Sequence, residues 1–317
     1  MQLLNAMQKH IVMSIIIGMS LGFFLGLFVE TAVLRDAVPI LTFFMVFPMM
    51  VTLNYKSVLS KGNWKLQAVT QAVNFIYLPF LAYLFGIVFF AEYVNFRLGI
   101  LLIALLPTSG MTVSWTVMAK GNVKEAIRMI VFGLILGALL TPFYIRFYLG
   151  AAIEIPFFSI FNQIIWVVFV PMGLGFLTQR VLVNRYGNER FHSTIKPLFP
   201  RFSTLAVVVL ITLVMSFRAQ MLVANPGILL VILVPVTLGY LVMLISVHGI
   251  GTWLFNREDR IALINGTMIR SLSLALAIAL SVFSDSGPEV ALVIALAYII
   301  QVQLAAWYVK QSIKATT

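Results

Sequence analysis

The sequence predicts an all-α polytopic membrane protein. We expect ten transmembrane helices in two inverted five-helix repeats, with helices four and nine broken and crossing each other. Three observations lead to this fold: the composition, the spacing of the apolar runs, and a similarity between the two halves. Of the 317 residues, 62% are hydrophobic and 10% are charged, whereas a soluble domain has about 25% charged residues. The predicted environment is therefore a lipid bilayer.

Apolar runs long enough to cross a bilayer, about 20 residues each, recur along the whole chain. The first run is longer than the core of a signal peptide and lacks a small-residue cleavage site, so it is predicted as a true span. Turn signals separate the runs. The ten predicted spans are 11–29, 37–54, 66–90, 98–119, 124–148, 157–181, 202–217, 227–254, 261–283 and 289–309.

The charged residues are distributed unequally between the two sides of these spans. If the amino terminus is cytoplasmic, most lysines and arginines fall in cytoplasmic loops or in the carboxy-terminal tail, which is the positive-inside pattern. We therefore expect an inner or plasma membrane protein with both termini in the cytoplasm. The net charge of +11 then reflects topology and predicts no nucleic-acid partner. The opposite side carries four arginines against six carboxylates: Arg35, Arg97, Arg146, Arg218, Glu30, Asp36, Glu92, Glu154, Asp285 and Glu289.

The two halves of the chain resemble each other. Span one contains IGMSLGFF and span six contains VPMGLGFL, with Met, Leu, Gly and Phe at the same places. Because each half has five spans, an odd number, the second copy enters the membrane from the opposite side, as in inverted-repeat transporters. We expect repeat one in 1–150 and repeat two in 151–317. The first repeat together with span six covers 1–182, and a basic linker runs over 182–200.

Spans four and nine each contain a polar stretch that predicts a break. Pro107 removes a backbone donor and Gly110 adds flexibility in span four, and Gly266 predicts the corresponding break in span nine. Irregular backbone is tolerated only inside the protein or beside a watery cavity, so crossing breaks would form a substrate site. The alternative is a proline kink whose hydroxyls bond back to their own helix. The predicted substrate-binding residues are Thr108, Ser109, Thr112, Ser114, Asn265, Arg270, Ser271 and Ser273.

Arg270 is the one charged residue that lies far from either end of a predicted span. An arginine at the bilayer centre costs about 2.5–3.5 kcal/mol on translocon-based scales, and such residues usually mark a transport pathway. We expect it to bind an anionic group of the substrate. The alternatives are that it caps carbonyls of a broken helix or extends to the membrane interface.

Two further spans carry amides that could face the interior. Gln67, Gln71 and Asn74 in span three are spaced i, i+4 and i+7, which places them on one helix face. Gln71 and Asn74 are candidates for lining the cavity, and hydrogen bonding between helices is the alternative. Gln301 and Gln303 in span ten point to opposite faces, so at most one of them faces inward.

The stretch LLPTSGMTVSWTVMAKGN at 105–122 resembles span four of the bile acid:sodium symporter and arsenical-resistance permease superfamily. FFMVFPMMV at 43–51, VPMGLGFLTQR at 170–180 and PRFSTLAVVVLITLVMSF at 200–217 make the chain look most like the arsenite efflux permease branch. The resemblance covers essentially the whole chain. It implies a ten-span fold with a panel domain and a core domain, in which spans four and nine cross.

The chain also departs from this family. The resemblance implies a cysteine after the span-four proline, where this chain has Thr108, and the sequence contains no cysteine. A thiolate path for trivalent arsenic, a disulfide and a thiolate metal site are thereby excluded. The resemblance also implies that a sodium-coordinating glutamate and Gln-Asn pair fall near Gly266, Arg270 and Ser271. Because a guanidinium there would oppose sodium, a further hypothesis is that Arg270 takes the place of the coupling cation.

These observations predict a secondary active transporter that moves a small anion or an arsenite-like solute by alternating access. The alternatives are a sodium-coupled organic anion symporter of the bile-acid type and a passive channel. Proton or sodium remains open as the coupling ion. An enzyme is not expected, because every carboxylate lies in a loop or at the end of a predicted span and the three histidines are far apart. No cofactor and no bound metal are predicted.

Overall fold

The computed structural model describes residues 2–54, 62–150, 157–283 and 286–314, and the regular elements in this part of the chain are helices. Eight of them are long and apolar enough to cross a membrane, which confirms the all-α polytopic membrane fold. The count of ten spans and the inverted repeat remain predictions. The eight helices are Ile11–Phe28, Val33–Val51, Trp64–Phe89, Val123–Leu149, Phe161–Tyr186, Asn188–Ala224, Ile228–Leu254 and Gly287–Ile313.

Predicted spans four and nine are each made of two shorter helices. Span four consists of Val94–Leu105 and Gly110–Met118, so the break lies where Pro107 and Gly110 predict it. Span nine consists of Arg257–Met268 and Leu272–Val282. The two interruptions are short, which leaves each half-helix with its own amino and carboxyl end.

The prediction that Gly266 breaks span nine was wrong. Gly266 lies inside the helix Arg257–Met268, and the backbone leaves the helix only after Met268. A Cβ atom at Gly266 would lie 2.5 Å from the Sδ atom of Met129, so glycine is accounted for by close packing between helices. Glycine in a membrane helix therefore signalled a contact here and not an interruption.

Three long helices contain a π-helical turn, and each turn ends two residues before a proline. The turns are Val73–Tyr77, Ile165–Phe169 and Phe191–Ile195, followed by Pro79, Pro171 and Pro197. A proline ring clashes with the carbonyl four residues earlier and cannot bond to it, and a wider turn relieves that clash. Ahead of Pro79, the freed carbonyl of Phe75 accepts a hydrogen bond from the Tyr144 hydroxyl.

By its internal contacts the chain forms two compact units, and each unit draws on both predicted repeats. The first unit comprises Met1–Leu53, Phe158–Leu229 and Ser273–Ala295, and the second comprises Asn54–Phe157, Leu230–Leu272 and Leu296–Thr317. The predicted linker 182–200 lies in the first unit and is helical on both sides of Gly187, whose φ is +81°.

In the first unit, glycines allow helices to approach each other at the backbone. A Cβ at Gly22 in Ile11–Phe28 would overlap the carbonyl oxygen of Thr212, and a Cβ at Gly175 would lie 2.8 Å from the carbonyl carbon of Met50. Small residues at such positions are the usual basis of close packing between membrane helices. Gly22 and Gly175 occupy the same place in the two similar stretches IGMSLGFF and VPMGLGFL, so these stretches share a packing role.

In the second unit, three helices begin with an asparagine cap. The side-chain oxygens of Asn63, Asn122 and Asn256 accept the backbone N–H of the residue three positions later. Each cap satisfies one amide that the helix cannot bond internally.

The carboxylate of Asp259 joins two of these caps. Its two oxygens accept hydrogen bonds from the Nδ2 of Asn63 at 2.9 Å and from the Nδ2 of Asn122 at 2.7 Å. Glu125 accepts the backbone N–H of Asn63 at 3.0 Å and the amide of Gln67 at 2.7 Å. Asp259 and Glu125 are both buried, so two carboxylates hold the amino ends of three helices together.

Candidate functional site

The two helix breaks lie against each other in the second unit. The backbone N–H of Ser271 donates to the carbonyl of Leu106 at 2.8 Å, and Pro107 forms an isolated antiparallel bridge with Arg270. All four residues are buried. Backbone groups that leave a helix inside a membrane protein must find other partners, and here each break supplies partners for the other.

The guanidinium of Arg270, which is 1% exposed, is surrounded by oxygen atoms of these elements. Nε donates to the carbonyl of Ile103 at 2.9 Å, and Nη2 donates to the carbonyl of Ala104. Nη1 donates to the carbonyl of Thr267 at 3.0 Å and to the side-chain oxygen of Asn74 at 2.6 Å. These are the contacts expected from the alternative in which Arg270 caps carbonyls of a broken helix.

The position of these carbonyls explains why a cation is stable there. Ile103 and Ala104 are among the last residues of Val94–Leu105, and Thr267 is next to last in Arg257–Met268. The carboxyl end of a helix carries about half a negative charge. Two such ends together carry about one negative charge, which the single positive charge of the guanidinium offsets.

The backbone of Arg270 is held separately from its side chain. Gln301, fully buried in the last helix, accepts the N–H of Arg270 at 2.8 Å and donates to its carbonyl at 3.2 Å. The hydroxyl of Tyr240 donates to the same side-chain oxygen of Gln301 at 2.9 Å. Gln303 is exposed, so the prediction that at most one of the two glutamines faces inward is confirmed.

Thr108 occupies a strained position in the span-four break. Its φ is +59°, a left-handed conformation that is uncommon for a β-branched residue. The hydroxyl lies 2.7 Å from the carbonyl of Pro107 and 3.4 Å from that of Met129. A Cβ on the facing Gly133 would lie 2.7 Å from this hydroxyl oxygen. Backbone strain of this kind concentrates at functional sites.

Ser109 and Thr112 start the second half of span four. The hydroxyl of Ser109 accepts the N–H of Met111 at 3.3 Å, and that of Thr112 accepts the N–H of Ser109 at 3.2 Å. This reciprocal pair is a capping box. One turn later, the hydroxyl of Thr116 accepts a hydrogen bond at 3.3 Å from the amide of Asn265 in span nine.

Two of the predicted substrate-binding residues keep polar atoms without a partner among the described residues. They are the side-chain oxygen of Asn265 and the hydroxyl of Ser271, both buried. Buried polar atoms without a partner are rare, and each asks for an explanation. Ser114 is exposed on Gly110–Met118, and Ser273 is half-buried in the first turn of Leu272–Val282.

Of the three span-three amides, two bond to other helices and one has no partner among the described residues. Gln67 bonds to Glu125, and Asn74 bonds to Arg270 and also donates to the carbonyl of Gly266 at 3.2 Å. These are contacts between helices, as in the stated alternative. The amide of Gln71 has no partner among the described residues.

Sequence reasoning missed Tyr240 and the importance of Gln301. Tyr240 lies in an apolar helix, where no sequence pattern distinguishes it. Gln301 is buried because of the helix face on which it lies. Arg270 and Tyr240 also border a small cavity of about 70 Å³. The other residues lining this cavity are apolar: Leu78, Leu81, Ala82, Phe85, Ile100, Ile103, Ala104, Pro235, Val236, Gly239 and Met243.

Comparison with known proteins places these features in a family. Residues 39–225 match the model of the Sodium Bile acid symporter family. The arsenical-resistance protein Acr3 of Alkaliphilus metalliredigens is 24% identical over 71% of this chain and 68% of its own length. The uncharacterized transporter slr0944 of Synechocystis is 22% identical over 99% and 93%, respectively. The sodium/bile acid cotransporter 7-B of Xenopus laevis is 28% identical over 37% and 39%. Because the family match covers more than half of the chain, this protein is a membrane transporter that belongs to the sodium bile acid symporter family.

Proposed function

We propose that the chain is a secondary active transporter that moves a small anion or an arsenite-like solute by alternating access. The observation that carries this proposal is the pairing of the two helix breaks, with Asn265 and Ser271 beside them. A buried oxygen or hydroxyl without a partner costs about 1–3 kcal/mol. A polar solute that bonds to these two groups would remove that cost.

The charge of the helix ends supports an anionic or oxygen-rich solute. The positive charge of Arg270 offsets the partial negative charges of the two helix carboxyl ends. The amino ends of Gly110–Met118 and Leu272–Val282 retain their partial positive charge. Ser271 directly precedes the second of these helices, and its buried hydroxyl has no partner among the residues that the structure describes. Amino ends of helices bind anions through exposed N–H groups.

The names of the relatives favour the same range of solutes. One is an arsenical-resistance protein, and another is a sodium/bile acid cotransporter. Thr108 cannot supply the soft thiolate that trivalent arsenic prefers, so an arsenite-like solute would be bound here through hydroxyl and amide groups. We place the carrier in an inner or plasma membrane with cytoplasmic termini, on the charge distribution of its loops.

Ligand-dependent melting of the purified protein tests this proposal. The melting temperature, Tm, would be measured with arsenite, antimonite and a series of small carboxylates, in sodium or potassium at fixed ionic strength. A ligand at 100 times its dissociation constant adds about 2.7 kcal/mol of stability, so a binding solute is readily detected. We expect at least one solute to raise Tm, and the absence of any shift across the series would contradict the proposal.

Ser271→Ala identifies the site, because its hydroxyl has no hydrogen-bond partner to lose among the described residues. Loss of one hydrogen bond to a charged ligand is worth about 1.5–3 kcal/mol, so the dissociation constant should rise at least about tenfold. Thr42→Ala is the matched control, since its hydroxyl is also buried and has no partner in the described part of the chain, but lies in Val38–Val51. Equal affinities in the two variants would place the binding site elsewhere.

A further inference from the structure

We propose that the guanidinium of Arg270 is a tethered cation that fills a cation site built from four oxygen atoms. The carrier then needs no sodium or potassium ion at this position. This inference rests on the proposed function and deepens it, because it assigns the way in which the transport site is neutralised. The four oxygens are the carbonyls of Ile103, Ala104 and Thr267 and the side-chain oxygen of Asn74.

The ligand set is one that suits a monovalent metal ion. Three main-chain carbonyls and one amide oxygen are uncharged, hard oxygen donors, and they come from two interrupted helices and a third helix. In membrane transporters, unwound backbone carbonyls and the carboxyl ends of half-helices coordinate sodium. Here the same kind of oxygen set surrounds three nitrogens of one side chain.

The charge balance at the site is complete without a carboxylate. Arg270 takes part in neither of the salt bridges found among the described residues, which join Arg128 to Glu125 and Arg218 to Glu289. Its positive charge is offset by the two helix carboxyl ends instead. A second cation at the same oxygens would be repelled by the guanidinium at close range, so a bound metal ion and Arg270 exclude each other.

Gln301 makes the cation a fixed part of the fold. It bonds to both the N–H and the carbonyl of Arg270, so the backbone that bears the side chain is anchored to the last helix. A tethered cation cannot dissociate when the carrier changes state, whereas a bound ion can. The site therefore keeps its charge through the transport cycle, and this position does not couple transport to a sodium or potassium gradient.

Removing the side chain should convert the site into one that responds to free cations. In Arg270→Ala the four buried oxygens lose their donors. We expect Tm to fall by several degrees in choline chloride, and to recover saturably with sodium or potassium at constant ionic strength. The Tm of the unmodified protein should be the same in all of these salts.

Arg97→Ala is the matched control. Arg97 also caps backbone carbonyls, with Nε donating to Phe90 at 2.7 Å and Nη2 donating to Ala91, but its side chain is only half-buried. Water can replace it there, so this variant should show no saturable dependence on the cation. A response in Arg97→Ala equal to that in Arg270→Ala would show a general salt effect and overturn the proposal.

Two other results would also overturn it. One is a saturable rise in the Tm of the unmodified protein with sodium, and the other is a folded Arg270→Ala variant whose Tm is the same in every salt. If the alanine variant does not fold, Arg270→Gln takes its place with the same expectations, and the unmodified protein in sodium and choline remains decisive. No transported solute is present, so failure here is separate from failure of the proposed function.

Discussion

Replacing Asp259 by alanine should destabilise the second unit by about 3 kcal/mol, because this carboxylate bridges two helix caps. It accepts hydrogen bonds from the side-chain amides of Asn63 and Asn122 at 2.9 and 2.7 Å. A hydrogen bond to a charged group is worth about 1.5–3 kcal/mol, which gives about 3–6 kcal/mol for two. Asn63 and Asn122 are half-buried and can be partly hydrated, so the lower end of this range applies.

Glu258→Ala separates this bridging effect from the loss of an acidic residue near a helix amino end. Glu258 is exposed in the same first turn of Arg257–Met268 and interacts with the same helix dipole. The free energy of unfolding would be obtained for both variants from reversible denaturation in detergent, with Tm as a second readout. If Asp259→Ala is within about 0.5 kcal/mol of Glu258→Ala, the range of an ordinary surface substitution, the bridge does not stabilise the fold.

Two further substitutions test other contacts in the same way. Gly22→Ala should cost about 1–3 kcal/mol, because the added methyl overlaps the Thr212 carbonyl; Gly173→Ala, with open space around it, should be neutral or stabilising in the same denaturation assay. Gln301→Ala should cost at least about 2 kcal/mol, because the N–H and carbonyl of Arg270 and the Tyr240 hydroxyl lose their common partner. Gln303→Ala, on the exposed face of the same helix, should stay within about 0.5 kcal/mol, and equal losses at the two glutamines would contradict this account.

Much of the fold follows from composition and from one proline. Apolar runs separated by charged loops indicate membrane helices, because few other structures are stable in the bilayer core. Pro107 marks the break in span four because it removes a backbone donor and clashes with the preceding turn. The break in span nine has no such marker. The backbone there leaves the helix after Met268, where the paired break and the capping guanidinium supply the missing partners.

The location of the site could be predicted from the sequence, but the contacts within it could not. An intramembrane arginine far from a span end indicates a special environment, yet its partners are mainly backbone carbonyls, which carry no residue-specific signal. In the sequence, Glu125 stands at the start of the predicted span 124–148, and Asp259 stands just before the predicted span 261–283. In the structure both are buried and bridge helix amino ends, because asparagine caps from distant segments meet there. Only tertiary structure brings such caps together.

Transport by the unmodified protein in sealed liposomes tests the central claim most directly. Uptake of the solute that stabilises the protein would be measured with or without the same solute inside, in sodium or in choline at equal ionic strength. For a carrier with a tethered cation, we expect saturable uptake that is stimulated by internal solute and is equal in the two salts. Uptake that rises linearly with concentration and ignores the internal solute would indicate a channel, and uptake that requires sodium would contradict the role assigned to Arg270.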